Sequence, residues 1–317
     1  LISRIAALLL VVFAVSCAGA PPPPPPSRDP KTAQWQDVFD GVPEFYVVVR
    51  PQALKRDATY GNFVKVLTRV AEARGDLGMS TLQAADASEE VVLGINRANN
   101  ADDTALVLRG VPASMDAEKL TDASGHRVFT LVDGKSKIHE YEHYERGGIT
   151  ASLFVLPDRT WVYTLGSARA RAREAFAHPF GRPVPKVDAD ALALIRVDAQ
   201  TPWIGAVQKG QNLGPVLRKL RAATLALKAG ANGLVLSLLY SDEDGAAWAE
   251  MQGKRLLEDM VRTSTDAQNT HRRIPRTFDL AKDARVSREA NTVLVKMTIP
   301  QQLLADLPQA SANDLPL

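Results

Sequence analysis

The sequence predicts an α+β fold of two related modules, mainly antiparallel sheets with helices packed on one face. Three observations predict it. Short runs rich in β-branched and aromatic residues recur between turn residues. Segments of helical period follow some of these runs without separating every pair, as a doubly wound fold would require. The two halves also share an order: each opens with a strand ending in an arginine step, Val49-Arg50 and Ile195-Arg196, followed by a helix and a return strand.

The first module covers 35–177. Its strands are expected at 44–49, 90–95, 104–109, 127–132, 150–156 and 160–165. The last two flank Pro157-Asp158-Arg159, whose turn chemistry predicts a hairpin. Phe63, Leu67 and Val70 predict a helix over 60–73, and a second helix is expected over 167–177, with Ser167 as N-cap and Pro179 beyond its end. The proline-rich stretch 178–190 reads as a linker to the second module, 191–317. There the expected order is strand 191–197, helix 213–228, strand 233–240, helix 243–263 and strand 292–299. The first of these helices rests on Leu217, Leu220, Thr224 and Leu227, and the second on a stripe of Ala246, Ala249, Gly253, Leu256 and Met260. Ser241 to Asp244 supply a cap and an acidic first turn. Trp161 and Trp248 are expected in the core, and Trp203 as an exposed contact.

The N-terminus places the chain in a cell. Residues 1–16 hold one basic residue, Arg4, and an apolar run from Ile5 to Val15, a secretory signal too short to serve as a permanent span. Ala14-Val15-Ser16-Cys17 resembles a bacterial lipobox, which implies cleavage before Cys17 and a lipid on its thiol. Cys17 is the single cysteine in 317 residues, so no disulfide partner exists for it. Pro21 to Pro26 then form a polyproline spacer of roughly 19 Å, and 17–34 reads as a tether. Ala18 stands where an aspartate would, by lipoprotein analogy, retain the protein at the inner membrane; the expected location is the outer membrane. A formal net charge of +2 gives no general attraction to nucleic acid. Expected partners are the membrane, through the lipid on Cys17, and an envelope protein or small ligand. No cofactor is expected.

The runs FYVVVRP near 45, ALVLRGVP near 105, SLFVLPDRTWVYTLGSARARAREAFA near 152 and GLVLSLLYSDEDGAAWAE near 233 resemble an uncharacterised family of predicted lipoproteins from myxobacteria and related bacteria. The likeness covers most of 35–305. It implies duplicated strand-helix-strand modules and carries no catalytic residue.

Among motifs, His139-Glu140-Tyr141-Glu142-His143 matches H-E-x-x-H. On a helix, His139 and His143 would share a face and bind zinc, with Glu140 activating water in a hydrolase. The flanks are polar and bounded by Asp133-Gly134 and Gly147-Gly148, which favours a strand carrying His139, Tyr141 and His143 on one face and Glu140, Glu142 and Tyr144 on the other. The leading expectation is therefore a non-enzymatic, lipid-anchored binding or scaffolding module, with the zinc hydrolase as alternative. Gly134-Lys135-Ser136 lacks the upstream glycine of a phosphate loop, and neither G-x-S-x-G nor S-x-x-K occurs. Arg169, Arg171 and Arg173 are expected to spread around a helix without forming one clamp. Arg169, Arg173, Arg272, Arg273 and Arg276 are candidate anionic contacts.

Overall fold

The computed structural model describes residues 34–39, 41–61, 79–96, 103–121, 125–133, 137–145, 148–178, 184, 187–199, 219–229, 233–267 and 282–299. Their class is α+β, with antiparallel sheets and helices packed against them. They fall into two compact units, one of 34–56 with 79–188 and the other of 57–61 with 189–299. The expected signal at 1–16, Cys17, Pro21 to Pro26, Trp203, Arg272, Arg273 and Arg276 lie outside the described residues, as does nearly all of the helix expected at 60–73. No helix among the described residues is long and apolar enough to cross a membrane.

The first unit contains β1 (Phe45–Val49), β2 (Glu90–Ile95), β3 (Thr104–Arg109), β4 (Thr130–Asp133), β5 (His139–Glu145), β6 (Gly148–Val155) and β7 (Trp161–Leu165). They pair antiparallel in the order β1-β2-β3-β7-β6-β5-β4. The expected β6–β7 hairpin forms: Leu156 N–H donates to Thr160 O at 2.9 Å, and Asp158 Oδ1 accepts from Thr160 N–H at 3.0 Å. Arg159 adopts a positive φ of 62° in this turn and donates to the carbonyls of Val111, Pro112 and Met115 at 3.1, 2.7 and 3.0 Å. Among the described residues three helices accompany the sheet, α1 (Pro51–Arg56), α2 (Met79–Ala87) and α3 (Ser167–Ala177), of which only α3 is expected from the sequence. The expected N-cap of α3 shifts by one residue. Gly166, at φ 47°, occupies that position and Ser167 opens the helix, because the strand must turn sharply there through a backbone conformation that suits glycine.

Helical segments pack against this sheet. On one face, Ala168, Ala172, Ala175 and Phe176 of α3 pack down, with Phe154 and Phe176 edge to face at 5.3 Å. The 3-10 turn Trp35–Val38 joins them. The opposite face holds Leu106, Leu108, Tyr141, Leu153 and Trp161 against Ala84 of α2, Ala117 and Phe129. Glu90 sits between Arg50, at 3.2 Å, and Arg109, whose guanidinium also lies 5.6 Å over the Trp35 ring.

In the second unit, β8 (Ala191–Asp198), β9 (Leu220–Lys228), β10 (Gly233–Tyr240), β11 (Arg285–Glu289) and β12 (Thr292–Thr298) pair antiparallel in the order β11-β12-β10-β9-β8. Helix α4 (Glu243–Ala267) covers one face through Ala246 and Ala249, which meet Leu236, Leu238, Tyr240 and Val293. Its start follows the expected cap: Asp242 Oδ1 accepts from Gly245 N–H at 2.7 Å and Oδ2 pairs with Lys219 at 2.9 Å. These contacts, the Gly245 amide first, hold the Asp242 carboxyl below its usual range.

Three expectations are corrected here. Residues 220–228 form β9 instead of a helix; 213–218 lie outside the described residues. The Leu-Ala composition suits a helix locally, but pairing to β8 and β10 buries Ala222 and Ala223 on opposite faces, and that burial overrides propensity. Trp248 is 37% exposed and Leu256 40% exposed, so neither belongs to the core. The buried stripe of α4 follows Ala246 and Ala249, which turns Trp248 to the outer side and leaves Leu257, half-buried, in the position given to Leu256.

Gly94 shows how close the first core is. A Cβ there would lie 2.2 Å from Cε1 of Phe39, a ring buried completely and held edge to face against Trp35 and Tyr46 at 6.2 and 6.4 Å. Gly94→Ala is expected to cost about 1–3 kcal/mol in chemical denaturation. Adding Phe39→Leu should recover part of that loss, because the smaller side chain vacates the space of the new methyl.

Candidate functional site

The H-E-x-x-H segment is the place where chemistry was most legible, and it lies on β5. Cross-strand register sets Glu140 against Phe154 and Glu142 against Ser152, and Tyr141 against Leu153. Side chains alternate, so the two glutamates share the α3 face and His139, Tyr141 and His143 share the other. Four residues along a strand span about 13 Å, too far for His139 and His143 to hold one ion, and Glu140 points away from both. Zinc hydrolysis by His139, Glu140 and His143 requires a helix that this segment does not form. Among the described residues no group of three or more metal-ligating side chains converges.

The glutamates meet arginines instead. Arg169 Nη2 lies 3.1 Å from Glu142 Oε1, and Arg169 Nε donates to Ser152 Oγ at 2.9 Å. Arg173 donates from Nη2 to Glu142 Oε1 at 2.8 Å and from Nε to Glu140 Oε1 at 2.6 Å. The hydrogen bond to Glu140 is the largest influence holding the Arg173 guanidinium above its ordinary value. Thus two of the three alternating arginines do form one clamp, because positions four apart lie on one helix flank. Arg171 leaves on the other flank, donating from Nε to Val38 O at 3.0 Å and pairing with buried Asp103. Arg169 and Arg173, expected as anionic contacts, are engaged by the chain's own carboxylates.

The histidine face is structural at one end and open at the other. His143 Nδ1 lies 2.8 Å from Val128 O, and its ring meets Phe129 edge-on at 6.1 Å. Tyr141 is buried, and burial first, then Glu118 and Asp116, pushes its phenol up. His139 is exposed at a cleft of about 360 Å³ lined also by Lys137, Asp116, Arg159 and Trp161. Two of these polar groups already serve the fold: Arg159 ties the hairpin, and Asp116 caps the 3-10 turn Ala117–Lys119 by accepting from Glu118 N–H at 3.1 Å. Sequence reasoning missed the Glu142 clamp. Its signal was present as two carboxylates two apart and two arginines four apart, but nothing in the sequence pairs that strand with that helix.

No family model matches the chain. A stretch of 127 residues, 39% of the chain, is 34% identical to orotidine 5'-phosphate decarboxylase of Gluconobacter oxydans (strain 621H) and covers 50% of it. The chain thus spans about half the length of that curated relative. Among solved structures, crystal form I of TP0453 aligns with a TM-score of 0.48 at 12% identity, over 86% of this chain and 94% of that one. Crystal form III aligns with a TM-score of 0.46 at 12% identity, over 86% and 97%.

The clamp makes a stability prediction. Glu142→Gln is expected to cost about 2 kcal/mol in urea denaturation, less than the about 3–5 kcal/mol of a fully buried pair because Arg173 reaches solvent. His139→Ala, at an exposed position, should change stability by less than about 0.5 kcal/mol.

Proposed function

We propose that the protein is a lipid-anchored component of the bacterial cell envelope, a non-enzymatic binding or scaffolding module held at the outer membrane by a lipid on Cys17. The observation that carries this reading is the order of the N-terminal sequence. An apolar run, Ala14-Val15-Ser16-Cys17 and then six prolines succeed one another within the first 26 residues. Each part has a use in that arrangement: export, acylation, and a stiff spacer that stands the folded body off the surface. The site geometry supports the non-enzymatic half. Glu140, the candidate base of the hydrolase alternative, and its neighbour Glu142 are bound to arginines that fasten α3 to the sheet. A general base must be free to accept a proton from a substrate within hydrogen-bond reach.

Cys17→Ala tests the anchor. Cells fed an alkyne-bearing fatty acid should yield labelled wild-type protein in the membrane fraction. The variant should be unlabelled and either soluble or retained as the longer precursor. Equal labelling and equal membrane fractionation of the two would sink the proposal.

A further inference from the structure

We infer that the second unit carries a binding groove for a phosphate-bearing anion at the end of the sheet where β9 finishes and β10 begins. The groove has a volume of about 620 Å³, and Lys228, Lys282, Arg285 and Lys296 line it with one carboxylate, Asp283.

Register is what makes the arrangement informative. Arg285 on β11 stands directly opposite Lys296 on β12, and Lys296 stands opposite Val235 on β10. Side chains so paired project from the same face with Cβ atoms about 5 Å apart, and like charges in that position repel. Among the described residues, no carboxylate pairs with Arg285 or Lys296. Lys228 differs: its ammonium is held 2.7 Å from Asp190 Oδ1. Lys228 lies opposite Gly233, which has no side chain, so the floor between Lys228 and the Arg285–Lys296 pair stays open.

Basic residues on a strand have a simpler use, which is to discourage edge-to-edge pairing. That accounts for Arg285, because β11 is the last strand in its order. It does not account for Lys296 or Lys228, because β12 and β9 each have a neighbour on both sides. A concave site with a guanidinium fork and an ammonium facing each other suits a phosphate, which accepts several charge-assisted hydrogen bonds at once and removes the repulsion on binding. Val235, on the same face as Lys296, adds an apolar contact, so the phosphate can belong to a small ion or to a lipid headgroup. The chemistry recognised is the same in both. This inference gives the binding module a ligand class but does not rest on the lipid at Cys17, since all the residues involved lie in the folded second unit.

The test uses the purified full chain, with Cys17→Ala so that no N-terminal lipid carries it to vesicles and otherwise wild type, inorganic phosphate, and vesicles of phosphatidylcholine with or without phosphatidic acid. Against chloride at equal ionic strength, phosphate is expected to raise the melting temperature of the wild type, phosphatidic acid vesicles to retain it on flotation, or both. Response to phosphate alone identifies a free ion as the source, and response to vesicles alone a headgroup. Lys296→Glu should raise the melting temperature without ligand, because it converts a repelling pair into an attracting one. It should weaken ligand response at least tenfold. Arg262→Ser, on the exposed side of α4, should leave both unchanged. Should Lys296→Glu fail to fold, Lys296→Gln is read for the same loss of response. No response of the wild type to either probe, or an undiminished response in the Lys296 variant, overturns the inference. Failure of Cys17 acylation leaves these measurements untouched, so the two proposals fail separately.

Discussion

In the first unit, the pairing of Glu142 with Arg169 and Arg173 is the constraint from which the rest follows. A carboxylate that is 5% exposed must be neutralised where it stands. Two guanidiniums one helical turn apart do this, and they fix how α3 is rotated about its axis. With that rotation set, Ala168, Ala172 and Ala175 face the sheet, and their small size lets the helix approach it closely. Arg171 is carried to the opposite flank, where Asp103 and the Val38 carbonyl receive it. The same pairing fixes the parity of β5, since a slip of one residue would turn Tyr141 and the histidines toward the arginines. Tyr141 and His143 therefore complete the other core, beside Phe129.

Much of the fold was legible where the local signal and the tertiary environment agree. The β6–β7 hairpin follows from Pro157-Asp158-Arg159, the start of α4 from Asp242, and β12 from the alternation of Val293, Val295 and Met297 with Lys296. Legibility failed where they disagree. Leu220 to Lys228 have the spacing of a helix and the fate of an inner strand, because alanines at 222 and 223 fit both packed faces of a sheet. A large aromatic on a helix that packs against a sheet suggests a core position for Trp248, but one side of a long amphipathic helix looks outward, and Trp248 lies on it. Helices α1 and α2 carry no strong periodic stripe and were not anticipated.

The candidate site shows the same division. Histidines four apart with an intervening glutamate satisfy a zinc-binding helix, and the identical letters satisfy a strand. The polar flanks and bounding glycines tipped the reading toward a strand, and with it the separation of Glu140 from both histidines. The partners of those glutamates were out of reach. Arg169 and Arg173 stand 27 and 31 positions from Glu142, and no local rule joins residues at that distance.

By itself, the sequence determined the α+β class, most strand positions and the chemical order of the N-terminus, and it favoured an extended backbone for the H-E-x-x-H letters without fixing it. These depend on period, turn chemistry and composition, which act over a few residues. The tertiary structure alone decided which carboxylate meets which arginine, that β9 is a strand, and that Arg285 faces Lys296. Those outcomes depend on register and helix rotation, which are fixed only when distant segments are buried against one another.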